Sequence, residues 1–123
     1  MGNTIYTWAH PGPYPETDGT PTFDPLLGFP HGRKKRVMKV TEQELMAAKV
    51  PMRLRDYCAH HYLEYLECMG VHFPFFLNCE KYYHKHMHCE YEDYVLRLKE
   101  YERERRLLVR HKKKQEAIQA AAA

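Results

Sequence analysis

Two cysteine pairs with the same spacing constrain the fold of this chain more than any other feature. Its four cysteines stand at the ends of two segments, CAHHYLEYLEC at residues 58–68 and CEKYYHKHMHC at residues 79–89. On a helix, ten residues span about 15 Å, whereas a disulfide requires Cα atoms within about 7 Å of each other. A disulfide therefore cannot form within either segment while it is helical, and any disulfides must join the two segments.

An antiparallel helical hairpin selects one of the two remaining pairings. Residues that face each other across such a hairpin have residue numbers with a constant sum. This sum is the same for Cys58 with Cys89 as for Cys68 with Cys79. Both bonds then fit one hairpin with its turn near residue 73, and we predict these two nested disulfides.

Local sequence patterns predict three helices around the cysteines. The motif TEQE predicts a short helix that begins with a capping box, in which Thr41 and Glu44 bond reciprocally. Pro51 is expected in the first turn of a second helix, which ends at a left-handed cap on Gly70. A third helix is expected to begin within residues 74–78 and to continue past the last cysteine, because no later proline or glycine interrupts it.

These patterns divide the chain into three segments and predict an all-α fold. Residues 1–40 are rich in proline and glycine and are expected to form an extended arm. Residues 41–90 are expected to form the short helix and the disulfide-stapled antiparallel hairpin. Residues 91–123 are expected to form a long, charged C-terminal helix with an alanine-rich tail.

The arm is more apolar than a free linker requires. It contains no lysine or arginine before Arg33. We expect it to lie along a partner surface, with disorder in isolation as the alternative. The apolar residues of the arm are Tyr6, Trp8, Tyr14, Phe23, Leu26, Leu27 and Phe29.

The long helix carries apolar residues at steps of three and four, which form a stripe on an otherwise charged surface. We expect another protein to cover this stripe, with self-association as a coiled coil as the alternative. Glu100 and Glu104 are expected to pair with basic residues of the same helix. The stripe residues are Tyr91, Tyr94, Val95, Leu98, Tyr101 and Leu108.

Four cysteines and nine histidines also raise the alternative of a zinc site. Structural zinc sites usually draw on cysteines two to four residues apart, a spacing that these segments lack. Nothing in the sequence supplies an orienting acid or an oxyanion hole for a cysteine nucleophile. The sequence thus predicts no catalytic, cofactor-binding or metal site.

Other functional classes are disfavoured by the distribution of charged and apolar residues. No apolar run approaches the roughly 18 residues of a membrane span, and we expect no cleaved targeting segment. The basic runs RKKR and HKKK lack the stacking aromatics of a nucleic-acid site. We expect these runs to contact acidic protein surface or anionic lipid rather than nucleic acid.

The doubled C-x9-C pattern resembles the twin C-x9-C, or CHCH, proteins of the mitochondrial intermembrane space. The strings RDYCAHHYLEYLEC, FPFFLNC and CEYEDYVLRLKEYERERRLLVRHKKK are similar to a family of accessory subunits of respiratory complex I, the NADH:ubiquinone oxidoreductase. The similarity covers residues 33–114. It implies a non-catalytic subunit without cofactors, needed for assembly and stability, that braces the membrane arm of complex I.

The resemblance also implies where the chain resides and what it binds. The expected location is the intermembrane-space face of the mitochondrial inner membrane, as a peripheral protein among other subunits of the membrane arm. During import, the oxidoreductase relay of that compartment would bind a helical patch, for which the candidates are Tyr62, Leu63, Tyr65 and Leu66. Packing in the core of the hairpin is the alternative for these residues, and the two roles are compatible. The alternative is an assembly factor or a metal-handling protein with the same hairpin.

Gly2 is a lipidation candidate, because the resembling subunits are thought to carry an N-terminal myristoyl group. The motif M-G-x-x-x-[ST] requires serine or threonine at position 6. This chain has Tyr6 there, and Thr7 stands one position late. A single acyl chain gives only marginal membrane binding, so it would assist an arm held by protein contacts.

Overall fold

A computed structural model describes residues 2–16 and 18–123 of the chain. It contains no β-strand in these residues, which confirms the predicted all-α fold. The elements in chain order are α1 (Gly2–Ala9), α2 (Glu42–Ala47), a 3₁₀ turn (Met52–Leu54), α3 (Ala59–His72), a second 3₁₀ turn (Phe76–Cys79) and α4 (Glu80–Ala122).

The chain divides into two compact units. The hairpin unit is Lys34–Val95 and contains α2, α3 and the start of α4. The arm unit combines the residues up to Arg33 with Leu96–Ala123. Helix α4 contributes to both units.

The hairpin unit has a small apolar core next to its disulfides. Its fully buried members are Leu45 of α2, Ala59 of α3, and Val50, which lies between these two helices. The predicted capping box at the start of α2 is confirmed, since Thr41 Oγ1 accepts from the Glu44 amide at 3.3 Å and Glu44 accepts from the Thr41 amide at 2.8 Å. The partly buried residues around this core are Val40, Leu54, Tyr62, Leu63 and Leu66.

Helix α3 begins later and ends later than the sequence predicted. Pro51 precedes a 3₁₀ turn rather than opening the helix. Side-chain bonds to the backbone organise the intervening segment, because Arg55 Nε donates to the Val50 carbonyl at 2.9 Å and Asp56 accepts from the Cys58 amide at 2.9 Å. The prediction of a cap at Gly70 is also wrong, since α3 continues through this residue to His72.

The turn of the hairpin lies near residue 73, as the constant sum of the paired cysteine numbers predicts. Helix α3 ends at His72, the Phe73–Pro74 peptide bond is cis, and a 3₁₀ turn leads into α4. Helix α4 then runs for 43 residues without a break, as expected for a segment that lacks proline and glycine.

The predicted extended arm needs a correction at its start. Residues Gly2–Ala9 form an α-helix, because the first helix-breaking residues of the arm are Pro11 and Gly12. Beyond them, the described residues 13–16 and 18–40 of the arm contain no α-helix. A turn organises the second half of the arm. In it, the Leu27 amide donates to the Asp24 carbonyl and the Phe29 amide donates to the Leu26 carbonyl.

Among the helices of the described residues, none combines the length and the apolar composition that crossing a bilayer requires.

Candidate functional site

Both predicted disulfides are confirmed. Cys58 bonds to Cys89 and Cys68 bonds to Cys79, with a Cα–Cα distance of 5.8 Å in each pair. All four cysteines are buried between α3 and α4. The outer bond closes a loop with a sequence separation of 31, which stabilises the folded hairpin by about 3–4 kcal/mol in the chain-entropy model.

Side-chain contacts between α3 and α4 follow nearly the same antiparallel alignment as the two disulfides. Lys85 Nζ lies 2.7 Å from a carboxylate oxygen of Glu64, and this bond lowers the pKa of Glu64. The Tyr65 and Tyr83 rings lie 5.7 Å apart between centroids. The two helices are thus joined by side-chain contacts between the two covalent links.

A buried histidine packs beside the outer disulfide. His86 is 5% exposed, and its ring centroid lies 5.4 Å from that of Tyr62 on α3. Its Nε2 atom is 3.3 Å from the Glu90 carboxylate. Burial lowers the pKa of His86, while the negative charge of Asp56 acts in the opposite direction. The imidazole therefore favours its neutral form and serves as packing.

A second histidine lies against the inner disulfide. His72 Nδ1 is 3.5 Å from Cys68 Sγ, 3.9 Å from Cys79 Sγ and 3.0 Å from the Cys68 carbonyl oxygen. These three side chains are close enough together to hold a metal ion. Cysteine binds zinc as a thiolate, however, and both sulfurs are joined in the disulfide. In this oxidised form the geometry does not favour the zinc alternative.

The patch suggested for binding the import relay lies on the core side of α3. Tyr62, Leu63 and Leu66 pack around the core of the hairpin unit, and Tyr65 contacts Tyr83. All four patch residues are half-buried. They therefore pack the folded hairpin, and recognition by the relay stays a prediction.

The predicted stripe on α4 is partly exposed. Tyr91, Tyr94 and Leu98 are exposed, with Leu98 at 48%. Val95, Tyr101 and Leu108 are half-buried. Its function as a partner surface stays a prediction.

The second half of the arm contacts the chain's own helix α4, and its expected contact with a partner surface stays a prediction. In the arm unit, Arg103 of α4 donates to the carbonyl oxygens of Asp24 at 3.1 Å and Leu27 at 2.9 Å. The same guanidinium lies 5.6 Å from the centroid of the Phe29 ring. One arginine thus holds the turn that organises the second half of the arm.

Further arm contacts lie on the same side of α4. The Thr22 amide donates to Glu104 at 3.0 Å, and Arg33 pairs with Glu100. Glu100 and Glu104 bond to the arm here, whereas we expected partners on their own helix. Because each residue turns the helix by about 100°, Leu98 lies on the opposite side from Glu100. The arm therefore leaves the Leu98 side of the stripe exposed.

Arg33 and Arg36 of the first basic run pair with acidic residues of α4. In the hairpin unit, Arg36 pairs with Asp93 at 3.5 Å and stacks over the Tyr57 ring at 4.6 Å. In the arm unit, Arg33 pairs with Glu100. These intramolecular pairs give the two arginines a structural role that the sequence did not reveal.

Gly2 is the first residue of α1. Its acylation stays a prediction.

The nested disulfides between two antiparallel helices define the chain as a twin C-x9-C, or CHCH, protein. Residues 39–101 match the family model described as NADH-ubiquinone oxidoreductase B18 subunit (NDUFB7). The match covers the hairpin and the first part of α4. The chain belongs to this family.

Individual relatives extend the similarity beyond the family model. The chain is 49% identical over 100 residues to "NADH dehydrogenase [ubiquinone] 1 beta subcomplex subunit 7" of Mus musculus, covering 81% of this chain and 72% of that protein. The subunit of the same name from Bos taurus is 48% identical over 96 residues, or 78% and 69% of the two chains. The Caenorhabditis elegans subunit is 43% identical over 102 residues, or 82% and 83%.

Proposed function

We propose that this chain is a non-catalytic accessory subunit of mitochondrial NADH:ubiquinone oxidoreductase, complex I. The observation that carries the proposal is the doubly stapled hairpin within a chain of the B18 subunit family. The residues around the disulfides pack the hairpin, and their chemistry is structural. The chain serves the enzyme by bracing its membrane arm, which supports assembly and stability.

The proposed location is the intermembrane-space side of the inner membrane, where the chain is peripheral. One observation supports it. Structural disulfides form and persist in oxidising compartments, and all four cysteines of the chain are paired.

The bracing would act through apolar surface that the folded chain leaves uncovered. Tyr91, Tyr94 and Leu98 of the stripe are exposed, and aromatic residues are enriched where protein interfaces are fully buried. Burial of such side chains against a neighbouring subunit would stabilise the assembled arm by about 1.5–3 kcal/mol for each fully buried residue. The partners are therefore other subunits of the membrane arm.

Two transient or peripheral contacts complete the proposal. The oxidoreductase relay of the intermembrane space would bind the patch Tyr62, Leu63, Tyr65 and Leu66 before the hairpin closes, since these residues are half-buried afterwards. A myristoyl group on Gly2 would add a weak contact with the membrane.

A native gel tests the proposal in cells that lack their own copy of the protein. A tagged wild-type chain should migrate with intact complex I and restore its amount, with little free protein. In mitochondria whose outer membrane has been opened, added protease should digest the tag, because it faces the intermembrane space. A predominantly free pool, with complex I restored, would favour the assembly-factor or metal-handling alternative.

A further inference from the structure

The tip of the hairpin exposes a continuous apolar surface. Val71, Phe73, Phe75 and Leu77 are each between 71 and 87% exposed, and Phe76 is 45% exposed. The Phe73 and Phe76 rings meet edge to face, 5.7 Å apart between centroids. We call these five residues the tip patch.

The inner disulfide explains why these side chains do not reach the core. Cys68 and Cys79 join the two helices directly behind the turn, and Cys79 is fully buried. The residues between them comprise the end of α3, the connecting residues 73–75 and most of a 3₁₀ turn. The core of the hairpin unit is built from Leu45, Val50 and Ala59, none of which belongs to this segment.

The tip patch is large for a chain of this size. Its three phenylalanines alone expose on the order of 350 Å², taking about 200 Å² for a fully exposed aromatic side chain. The largest apolar patch on a typical monomeric protein is about 300–600 Å² and is often functional. Scattered apolar residues need no explanation, but a contiguous patch of this size indicates a binding surface.

The charges around the tip patch select the kind of partner. No lysine, arginine, aspartate or glutamate stands between Glu67 and Glu80. The charged residues that flank the patch in the sequence are these two acids and one base, Lys81, so its flanks are net acidic. An anionic lipid surface would repel these flanks, and the patch lacks the tryptophan and tyrosine that favour the membrane interface.

We propose that the tip patch docks into an apolar depression, rimmed by basic side chains, on another subunit of complex I. This inference rests on the proposed function and adds a second contact surface to the stripe of α4. Phenylalanine is enriched in the buried centre of protein interfaces. The patch is smaller than the roughly 800 Å² per partner of a stable isolated complex, so it acts as one anchor of a larger contact rather than as a dimer interface.

A pair of matched substitutions tests the tip patch. Phe75→Ser removes an anchor whose side chain is 71% exposed, so it leaves no cavity in the fold. Met52→Ser is the control, because Met52 is 77% exposed in the same unit but lies outside the tip. Both purified variants should keep their two disulfides and the wild-type melting temperature. In mitochondria, the Phe75 variant should enter complex I at least about tenfold less than the Met52 variant, as expected for the loss of an interface anchor.

A photo-reactive amino acid at position 75 identifies the partner directly. In purified complex I it should cross-link to one other subunit, at an apolar site flanked by lysine or arginine. Equal assembly of the two serine variants, or no cross-link in a complex that has incorporated the photo-reactive chain, would overturn the inference while leaving the proposed function intact. Failure of the wild-type chain itself to enter complex I would instead overturn the proposed function.

Two measurements on the purified oxidised chain test the other possible partners of the tip patch, which are a second copy of the chain and a lipid membrane. Sedimentation should show a monomer, and flotation with vesicles of neutral or anionic lipid should recover no protein at the vesicle layer. Dimers that Phe75→Ser dissolves, or vesicle binding that Phe75→Ser abolishes, would assign the tip patch to a second copy or to lipid and would overturn the inference.

Discussion

At the scale of single residues, burial determines what the histidines of the hairpin do. His86 is buried beside Tyr62, and burial lowers its pKa. His61, also on the hairpin, has a lowered pKa, first through burial and then through the charge of His60. Both imidazoles therefore resist protonation in the folded chain, which links the stability of the hairpin to pH.

The hairpin should lose stability as the pH falls below about 6.5, the ordinary pKa of an unfolded histidine. The reason is that the unfolded chain then binds protons that folded His86 and His61 do not accept. This contribution to stability is fully present well above pH 6.5. It is lost as the pH falls from about 6.5 through the lowered pKa values of the two histidines in the folded chain. The negative charge of Asp56 opposes the effect on the pKa of His86 without cancelling it, and the Glu90 carboxylate lies 3.3 Å from His86 Nε2.

Thermal unfolding of the oxidised chain at about pH 7.5 and about pH 5.5 measures this effect. The wild-type melting temperature should be lower at the acidic pH, and His86→Leu should reduce the difference. His88→Leu, at a side chain that is 73% exposed, is the control and should keep the wild-type difference. Identical pH dependence in the His86 and His88 variants would contradict the assignment.

At the scale of elements, the contact between the arm and α4 depends on few side chains. Arg103 donates to two carbonyl groups of one turn and stacks on Phe29. Arg33 approaches the same ring from the arm, with its guanidinium 4.8 Å from the centroid. Because these contacts are polar and exposed, the arm should separate locally from the helix without unfolding the hairpin.

Arg103→Ala should release the turn at residues 24–29. Amide hydrogen exchange of Leu27 and Phe29 should become about tenfold faster, since a hydrogen bond from a charged donor contributes at least about 1.4 kcal/mol. Arg106→Ala is the control, because the Arg106 guanidinium bonds to Glu102 of its own helix. If both variants exchange alike, Arg103 does not hold the arm.

The secondary structure and the disulfide pairing, which local rules and helix geometry govern, could be predicted from the sequence, whereas long-range side-chain contacts without such a pattern could not. The disulfide pairing followed from helix geometry, and the unbroken α4 followed from the absence of proline and glycine. The late start of α3 could not be predicted, because it depends on side-chain bonds of Arg55 and Asp56 to the backbone. The bond between Thr22 and Glu104 joins residues 82 positions apart and has no periodic pattern in the sequence.

At the scale of the whole molecule, the folded chain exposes apolar side chains that its own fold does not cover. Tyr91, Tyr94 and Leu98 of the stripe are exposed on a helix that is otherwise strongly charged. Folding and assembly should therefore be separable. A substitution on the stripe should leave the disulfide hairpin intact and still impair its incorporation into a larger complex.

Leu98→Asp places a charge on the exposed side of the stripe. Burial of that carboxylate against a partner without compensation would cost several kcal/mol, so the variant should be imported and oxidised but largely excluded from complex I. Ile118→Asp is the matched control, because Ile118 is 69% exposed on the same helix and lies outside the stripe. The ratio of assembled to free protein on a native gel measures the difference.

Equal assembly of the two aspartate variants would show that the stripe is not the assembly surface. Wild-type coiled-coil dimers that Leu98→Asp dissolves would assign the stripe to self-association.

The nested disulfides also determine how the chain responds to mechanical force. Tension applied at the two ends of the hairpin unit passes across the Cys58–Cys89 bond and bypasses every residue between these cysteines. A sequence separation of 31 corresponds to roughly 100 Å of extended chain that stays withheld while the bond is intact. Pulling a single oxidised molecule should therefore extend only the segments outside the hairpin. A reductant should release the withheld length in two steps, because the inner Cys68–Cys79 bond, with a sequence separation of 11, keeps its own loop closed until it is reduced as well.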